Sequence, residues 1–247
     1  MANLVIDIGN SFIKFAIFEA DKILFTEQYQ QVENEIIEKL IIEFAIKKAI
    51  ISTVQNNEAL WLSYLQNKVK VVYFNRGMTN GIINHYKTPE TLGLDRLAAI
   101  MGAKYLYPNK SALIIDGGTC ITYDWIDDQG NYYGGSISPG LHMRFKALNN
   151  YTSALPLVQI ANDFNEDFGN DTKSAIQSGV QNGIKYELEG FINNYKNNKQ
   201  EFNIILSGGD GIFFDSLLKN SIFAPCIKIE PQLVLIGLNA AILNYND

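Results

Sequence analysis

The sequence places Asp7-Ile8-Gly9-Asn10-Ser11 near its start and Asp116-Gly117-Gly118-Thr119 near its middle, two short segments that begin with aspartate and contain glycine. Each segment lies between two apolar stretches of strand type, and a third such stretch follows a polar turn. The predicted strands are 4–6, 12–18 and 22–26 around the first segment and 112–115, 120–126 and 132–136 around the second. Because one supersecondary unit occurs twice in the same order, we infer an internal duplication.

Helix and strand patterns fill the rest of both halves and predict an α/β fold. Apolar periodicity predicts helices over 32–44, 58–65, 94–106, 176–195 and 231–243, and buried strands over 49–53, 69–74 and 203–206. We expect two similar domains, residues 1–108 and 109–247, with the last helix packing back on the first domain. Pro231 is expected in the first turn of that helix.

The composition limits the partners and the compartment. The 247 residues are 47% hydrophobic and carry a formal net charge of −6, which disfavours nucleic acid because phosphate binding depends on Lys and Arg. Cys120 and Cys226 are expected as buried thiols of a reducing compartment, and with His85 and His142 they are too few for a zinc site. The pattern shows no signal segment and no membrane span, so we predict a cytoplasmic protein.

The two glycine-containing segments are candidates for phosphate binding. Glycine lets backbone N–H groups approach phosphate oxygens, and an aspartate at a strand end supplies oxygen to a neutralising cation. Taken singly, either segment is better explained as ordinary hairpin chemistry. The duplication favours function, because two such units can face each other across one cleft. The chain lacks a P-loop, a G-x-G-x-x-G fingerprint and the H-R-D loop of protein kinases.

Four further segments have both a structural and a functional interpretation. In Gly93-Leu94-Asp95-Arg96, Asp95 suits the helix dipole while Arg96 is a solvated or paired surface residue, or Asp95 accepts the proton of an attacking hydroxyl. Thr172 is a helix N-cap or a substrate contact. The segments 134–140 and 207–210 bring backbone close to a ligand, or are ordinary connections. His142 is interpreted as a surface or capping residue.

Seven motifs in this order resemble the type III pantothenate kinases, members of the actin-like ATPase and hexokinase superfamily. The motifs are Asp7-Ile8-Gly9-Asn10-Ser11, Gly93-Leu94-Asp95-Arg96, Asp116-Gly117-Gly118-Thr119, Gly134-Gly135-x-Ile137-x-Pro139-Gly140, Leu155-Pro156, Gly169-x-x-Thr172 and Ser207-Gly208-Gly209-Asp210. Ser11 stands where the family usually has threonine, and residues 27–85 match only in pattern. The resemblance implies a duplicated actin-like (ribonuclease H-like) fold of mixed sheets flanked by helices.

The resemblance also implies a reaction and a set of site residues. ATP would phosphorylate the primary hydroxyl of pantothenate, the first step towards coenzyme A, with Asp95 as proton acceptor. Mg²⁺ would accompany the triphosphate, and Asp116 would hold a monovalent cation, K⁺ or NH₄⁺. ATP would contact Asp7, Ile8, Gly9, Asn10, Ser11, Phe12, Ile13, Lys14 and Thr119. Pantothenate would contact Tyr86, Gly93, Leu94, Asp95, Arg96 and Thr172. The family is dimeric, with sites near the subunit interface.

Two other functions stay open at this point. Another kinase of the superfamily would act on a sugar or a carboxylate, since a fold alone does not choose a substrate. A non-enzymatic transcriptional accessory factor is the second alternative, although the net charge and the lack of a DNA-binding motif count against direct DNA recognition. Neither nucleic acid nor a membrane is an expected partner.

Overall fold

The structure is a computed structural model that describes residues 2–53, 59–79, 81–161, 163–196 and 201–245. The strands are β1 Ala2–Ile8, β2 Ile13–Glu19, β3 Lys22–Tyr29, β4 Lys48–Thr53, β5 Lys70–Tyr73, β6 Ile83–Asn84, β7 Ala112–Gly117, β8 Cys120–Ile126, β9 Asn131–Pro139, β10 Asn203–Gly208 and β11 Ile227–Ile229. The α-helices are α1 Asn34–Phe44, α2 Leu60–Lys68, α3 Leu94–Leu106, α4 Leu141–Asn150, α5 Thr172–Lys196, α6 Gly211–Leu218 and α7 Leu233–Asn244.

The chain divides into two units. Unit 1 contains Met1–Asn109, Gly130–Tyr132 and Gln232–Asp247, and unit 2 contains Lys110–Gln129 and Tyr133–Pro231. The start of β9 therefore belongs to unit 1, where Asn131 and Tyr132 pair with β6.

Unit 1 is built on a five-stranded sheet in the order β3-β2-β1-β4-β5. The strands β1, β2 and β3 form antiparallel pairs, whereas β4 is parallel to β1 and β5 is parallel to β4. Alternate residues of β1, β2 and β4 bury apolar side chains in one core cluster with α1 and α2. The opposite side chains of the same strands, which include Asp7, therefore point away from that cluster.

The last helix completes unit 1. α7 is apolar almost all round, as expected of a fully buried helix, and it packs on α3, β1 and β4. Its contact with α3 is close, because a Cβ atom at Gly237 would overlap the Ala98 carbonyl and one at Gly102 would overlap the Leu233 carbonyl. Asn239 donates from Nδ2 to the Ala20 carbonyl at 2.8 Å, which ties the helix to the β2–β3 turn.

Unit 2 repeats this arrangement. Its strands follow the order β11-β10-β7-β8-β9, with β7 and β8 antiparallel and β10 parallel to both β7 and β11. Leu113, Ile115, Ile204 and Leu206 pack into a core cluster with α4, α5 and α6. The strand order matches that of unit 1 position for position, so the duplicated α/β fold inferred from the two aspartate segments is confirmed.

Some element boundaries differ from the sequence prediction. Pro231 lies before the Gln232 N-cap of α7 rather than in its first turn, because α7 begins at Leu233. The prediction of two buried thiols is wrong, since Cys226 is exposed in a 3₁₀ turn after Pro225 and Cys120 is half-buried at the start of β8. The predicted first residue of α2, Glu58, lies outside the described residues, and the short strands β6 and β11 were not predicted.

Candidate active site

The first hairpin turn lies between β1 and β2 and presents an exposed loop. The backbone N–H of Gly9 donates to the Phe12 carbonyl at 3.1 Å, which closes the loop. Asn10 and Ser11 are exposed at its tip, and Phe12 is 38% exposed. An exposed loop closed by its own backbone is accessible to a ligand from solvent.

The carboxylate that precedes this turn has a basic neighbour. Asp7 is the direct register partner of Lys14 on β2, and direct partners of an antiparallel pair place their side chains on the same face. On the other side, Asp7 is in register with Ser52 of β4. Lys14 also lines a cavity of about 180 Å³ in unit 1. The first hairpin thus combines an acidic residue, a basic residue and a glycine-containing turn.

Asp95 is held at the start of α3 by local geometry. Gly93 is the N-cap of the helix, and the Asp95 Oδ1 atom accepts the backbone N–H of Arg96 at 2.8 Å. A Cβ atom at position 93 would overlap Oδ1 of Asp95, so glycine is needed there for this carboxylate position. The helix start therefore fixes Asp95, which is half-buried, in one orientation.

Arg96 is not the surface residue, solvated or paired, that the structural interpretation predicted. Its side chain is only 6% exposed, and its guanidinium lies over the Tyr86 ring at 5.7 Å from the ring centroid. Tyr86 in turn stacks on Tyr132 with the ring centroids 6.2 Å apart. The guanidinium is buried because an aromatic face can replace part of its hydration. Asp95, Arg96 and Tyr86 therefore belong to one cluster in unit 1.

The second hairpin turn is held by two neighbouring segments of unit 2. The Gly140 N–H donates to the Thr119 carbonyl at 3.1 Å, and the Asp210 N–H donates to the Gly117 carbonyl at 3.1 Å. The turn itself is closed by the Gly118 N–H, which donates to the Cys120 carbonyl at 3.0 Å. The motifs 134–140 and 207–210 thus contact the motif 116–119 within one unit.

Asp210 is a carboxylate in a partly dehydrated position. Its Oδ2 atom is buried and has no hydrogen-bond partner among the described residues. Burial raises the pKa of Asp210, and the nearby His142 partly offsets this rise. His142 is itself exposed, as the sequence interpretation expected.

A polar network that the sequence gave no signal for holds the 138–140 segment. Glu187 of α5 accepts hydrogen bonds from the Tyr123 hydroxyl at 2.7 Å, from the Ser138 hydroxyl at 2.5 Å and from the Arg144 guanidinium at 2.6 Å. The Arg144 Nε atom also donates to the Pro139 carbonyl at 2.8 Å. Tyr123 and Glu187 lie far in sequence from Ser138 and Arg144, so only the folded chain shows the four side chains together.

The network shifts the pKa values of its members in opposite directions. Burial by itself would raise the pKa of Glu187, but the hydrogen bonds from Ser138, Arg144 and Tyr123 and the charge of Arg144 lower it below its ordinary value. Burial and the hydrogen bond to Glu187 raise the pKa of Tyr123. Glu187 is thus the anion of the network and Tyr123 remains a neutral donor.

Thr172 is the first residue of α5 but does not cap it. Asp171 performs that role, because its Oδ1 atom accepts the Ser174 N–H at 2.8 Å. The Asp171 backbone carbonyl accepts the Ala175 N–H at 2.8 Å. The Ser174 N–H and side-chain hydrogen bonds lower the pKa of Asp171. The capping interpretation of Thr172 is therefore wrong, and its side chain needs another explanation.

A family comparison accounts for these motifs together. The family model described as "Type III pantothenate kinase" matches residues 3–194. A type III pantothenate kinase of Bacteroides fragilis (strain YCH46) is 42% identical over 246 residues, covering 99% of this chain and 98% of the relative. One of Flavobacterium johnsoniae is 41% identical over 224 residues, covering 90% and 91%. The chain belongs to the type III pantothenate kinase family.

Solved structures confirm the fold expected of a type III pantothenate kinase. A Campylobacter jejuni protein described as a Baf family transcriptional activator has a TM-score of 0.58 at 24% identity, with 97% of each chain covered. A Listeria monocytogenes protein described as an N-acetylmannosamine kinase has a TM-score of 0.56 at 14% identity, covering 98% of this chain and 99% of that chain. At these identities the likeness shows the fold alone.

The site residues expected of a type III pantothenate kinase are divided between the units. Unit 1 holds residues 7–14, Tyr86 and 93–96, and unit 2 holds Asp116, Thr119 and Thr172. Within unit 1, Tyr86 and Arg96 are brought into contact although they are separated in sequence. Among the described residues, no helix is long and apolar enough to cross a membrane. The same residues contain no cluster of three His, Cys, Asp or Glu side chains suited to a metal ion.

Proposed function

We propose that this chain transfers the γ-phosphoryl group of ATP to the primary hydroxyl of pantothenate, forming 4'-phosphopantothenate in the first step of coenzyme A biosynthesis. The observation that carries the proposal is the family match over residues 3–194, together with relatives about as long as this chain that are named type III pantothenate kinases. The geometry of the described residues gives each step a chemically suitable group.

Asp95 is proposed as the acceptor of the pantothenate hydroxyl proton. Phosphoryl transfer depends chiefly on positioning and on charge stabilisation, with a carboxylate to take the proton of the attacking hydroxyl. The Asp95 carboxylate is fixed by Gly93 and by the Arg96 N–H, which uses only part of the accepting capacity of its two oxygens. A fixed carboxylate loses little freedom when the hydroxyl approaches, which favours the reactive geometry.

The ATP phosphates are proposed to contact the first hairpin, residues 7–14, and Thr119 of the second. Lys14 supplies a positive charge, and the exposed backbone of the first loop supplies N–H groups. Asp7 is an oxygen ligand suited to Mg²⁺, which usually binds through one or two carboxylates and the substrate phosphates. Mg²⁺, when bound, would neutralise charge on the phosphates.

Pantothenate is proposed to bind through Tyr86, Gly93, Leu94, Asp95, Arg96 and Thr172. The buried Arg96 guanidinium is a donor group suited to a carboxylate, which pantothenate carries. Thr172 offers a hydroxyl at a helix start where Asp171 already supplies the cap. We also propose a homodimer, as the family resemblance implies, with pantothenate and ATP as its small-molecule partners, and we propose that it works in the cytoplasm.

A coupled ADP-release assay tests the proposal. The chain is supplied with ATP, Mg²⁺ and K⁺ and with one acceptor at a time: pantothenate, a hexose, an N-acetylated amino sugar or acetate. We expect pantothenate alone to raise ADP release well above the background without acceptor. Faster release with a sugar or with acetate would assign the chain to another kinase activity, and no release above background with any acceptor would contradict a kinase function.

A further inference from the structure

Arg76 lies outside every motif of the sequence analysis, yet its guanidinium binds the chain just before the helix that carries Asp95. The Arg76 Nη2 atom donates to the Glu90 carbonyl at 2.6 Å and to the Leu92 carbonyl at 2.9 Å. Leu92 directly precedes Gly93, the N-cap of α3. One side chain, 14 and 16 residues away in sequence from its two partners, therefore holds the backbone that leads into the helix start.

The Arg76 backbone is fixed on a short 3₁₀ turn after β5. The turn comprises Arg76–Met78, and the Asn75 side chain caps it by accepting a backbone N–H of the turn at 2.9 Å. The Met78 side chain is buried, and the Thr79 hydroxyl donates to the Arg76 carbonyl at 3.1 Å. Because the backbone is anchored in this way, little besides the side chain has to be ordered when the guanidinium binds the two carbonyls.

The segment that accepts these hydrogen bonds is short and irregular. It contains the 3₁₀ turn Pro89–Thr91, in which the Thr91 hydroxyl donates to the Thr88 carbonyl at 2.9 Å. The N-cap of the helix that follows is Gly93, and a glycine has no side chain with which to hold the helix start. The direction in which α3 begins therefore depends on contacts from outside the segment, and Arg76 supplies two of them.

Helix stability does not explain a positive charge at this place. The N-terminus of an α-helix is the positive end of its dipole, so cations are favoured at the other end. A guanidinium bound to the Leu92 carbonyl, one residue before the N-cap, lies where the α3 dipole opposes it. The Arg76 side chain is also exposed, so burial of apolar surface does not explain its position either. A role in setting the geometry of the helix start explains both observations.

The Asp95 carboxylate depends on that geometry. It fits at the helix start because Gly93 has no Cβ atom and because the Arg96 N–H donates to its Oδ1 atom at 2.8 Å. Both contacts change if the backbone of residues 90–93 rotates. A misplacement of about 1 Å can cost a reaction about 10²-fold in rate, even when the mutated residue is far from the reacting atoms.

We propose that Arg76 is a positioning residue for the proton acceptor Asp95. It acts through the two backbone carbonyls that it binds before the helix start, and it needs no contact with either substrate. This role rests on the proposed function, since Asp95 is the group proposed to accept the pantothenate proton. A residue of the region 27–85, which matches the family only in pattern, thus takes part in arranging the site.

Arg76→Ala tests the role by its effect on turnover. Without the guanidinium, kcat with pantothenate should fall by about 10- to 100-fold, because the carboxylate is less often in the reactive position. The KM for ATP should stay within about twofold of the wild-type value, since Arg76 is not among the proposed ATP contacts. The melting temperature should hardly move, because substitutions of exposed side chains are usually nearly neutral.

Lys68→Ala is the matched control. It removes an exposed cation of unit 1 at the end of α2 and should keep full activity. A wild-type kcat in Arg76→Ala, or an equal loss in Lys68→Ala, would overturn the inference.

The double variant of Arg76→Ala and Asp95→Asn distinguishes positioning from an independent contribution. Residues that act as one unit have strongly non-additive effects on rates. If Arg76 acts through Asp95, the double variant should have nearly the same kcat as Asp95→Asn alone. Losses that multiply would show that Arg76 contributes independently of Asp95 and would contradict the proposal.

Guanidinium chloride at millimolar concentration tests whether the missing group is the guanidinium itself. Because the Arg76 side chain is exposed, a free guanidinium ion can reach the space that alanine leaves. Compared with choline chloride at equal ionic strength, it should raise the kcat of Arg76→Ala several-fold. It should not raise the kcat of the wild type or of Asp95→Asn. No rise in Arg76→Ala, or an equal rise in all three chains, would count against the role.

Amide hydrogen exchange separates this inference from the proposed function. In Arg76→Ala, the amides of residues 92–97 should exchange faster than in the wild type, while those of the later turns of α3 should be unchanged. Unchanged exchange at 92–97 would refute the positioning role, whether or not pantothenate stimulates ADP release. Faster exchange at 92–97 in a chain whose ADP release responds to no acceptor would support the hold of Arg76 on the helix start and refute only the kinase assignment.

Discussion

The two hairpins share a backbone arrangement and differ in the side chains that stand in register with their aspartates. Around Asp7 the neighbouring strands contribute Lys14 and Ser52, whereas around Asp116 they contribute Thr122 and Ser207. The first turn ends in exposed Asn10 and Ser11, while the second is held by Gly140 and Asp210. Of the two copies, one has a lysine beside its aspartate, and the other has hydroxyl side chains there and a turn that two neighbouring segments hold.

This difference indicates a division of labour between charge and position. An ammonium on a flexible stem can follow a phosphate group, whereas the second hairpin has only short side chains on its three neighbouring strands. The family resemblance assigns the carboxylates of both hairpins to cations and not to the proton of the hydroxyl. The proposed proton acceptor, Asp95, therefore lies in the third segment, Gly93 to Arg96.

The largest effect is expected for Asp95→Asn. If the hairpins serve only phosphates and cations, removing this acceptor should lower kcat by ~10²–10⁴-fold, the usual contribution of general acid–base catalysis. The melting temperature should stay near that of the wild type, since the amide oxygen can still accept the Arg96 N–H. Glu90→Gln, an exposed carboxylate in the preceding 3₁₀ turn, is the control and should keep full activity. A kcat of Asp95→Asn within a few-fold of wild type would show that Asp95 is not the proton acceptor.

Lys14→Met should have the next largest effect. It tests directly whether the Lys14 ammonium contributes to ATP use. Loss of a positioned charge at the phosphates should lower kcat/KM for ATP by ~10²–10³-fold, as removal of one such stabilising group typically does. The KM for pantothenate should change little. Lys22→Met, at the far end of the same β2–β3 pair and exposed, should behave as wild type. Equal losses in both variants would show that general charge, rather than the position of Lys14, matters.

Glu187→Gln tests whether the support of the second hairpin matters for ATP. The amide loses the ion pair with Arg144 and the charge-assisted hydrogen bonds, so the free energy of unfolding should fall by ~1–2 kcal/mol. Because Arg144 holds Pro139 and Gly140 holds Thr119, the KM for ATP should also rise, by about three- to tenfold. Unchanged KM values with a lower melting temperature would make the network structural only.

The same network predicts a pH dependence. The folded-state pKa of Glu187 is lowered, so its contribution to stability is complete above the ordinary carboxyl value of 4.5 and is lost as the pH falls through the lowered folded-state pKa. The stability difference between the wild type and Glu187→Gln should therefore shrink as the pH is lowered below 4.5. Denaturant unfolding at a series of pH values measures this, and a constant difference across that range would contradict it.

The smallest effect is expected for Thr172→Ala. Loss of one hydroxyl contact should raise the KM for pantothenate by about three- to tenfold, with the KM for ATP unchanged. The melting temperature should hardly move, because Asp171 caps the helix. Asp171→Ala is the matched variant, and it should lower the melting temperature while leaving both KM values near wild type. The reverse pattern would make Thr172 structural.

The sequence predicted the frame of the fold and the local part of the site. The aspartate segments, the apolar strands and the α3 helix over 94–106 are local patterns, and the structure has them at nearly the predicted bounds. The cap at Asp171 was not predicted, because the Asp171 carboxylate and the neighbouring Thr172 hydroxyl are both suited to cap a helix. The burial of Arg96 was not predicted, because it depends on contact with Tyr86. The Glu187 network depends on tertiary packing, and the alignment of Asp116 with Ser207 depends on strand register. No short motif encodes either.

The position of α7 has a consequence for synthesis on the ribosome. The residues that fill the groove between α3, β1 and β4 emerge only after all of unit 2, so unit 1 cannot complete its core when its own first residues leave the tunnel. Unit 2 has nearly all of its chain in one late stretch and can finish first. Unit 1 is thus synthesised first but completed last. Until α7 is made, the apolar groove between α3, β1 and β4 stays exposed, and a chaperone would bind the nascent chain there.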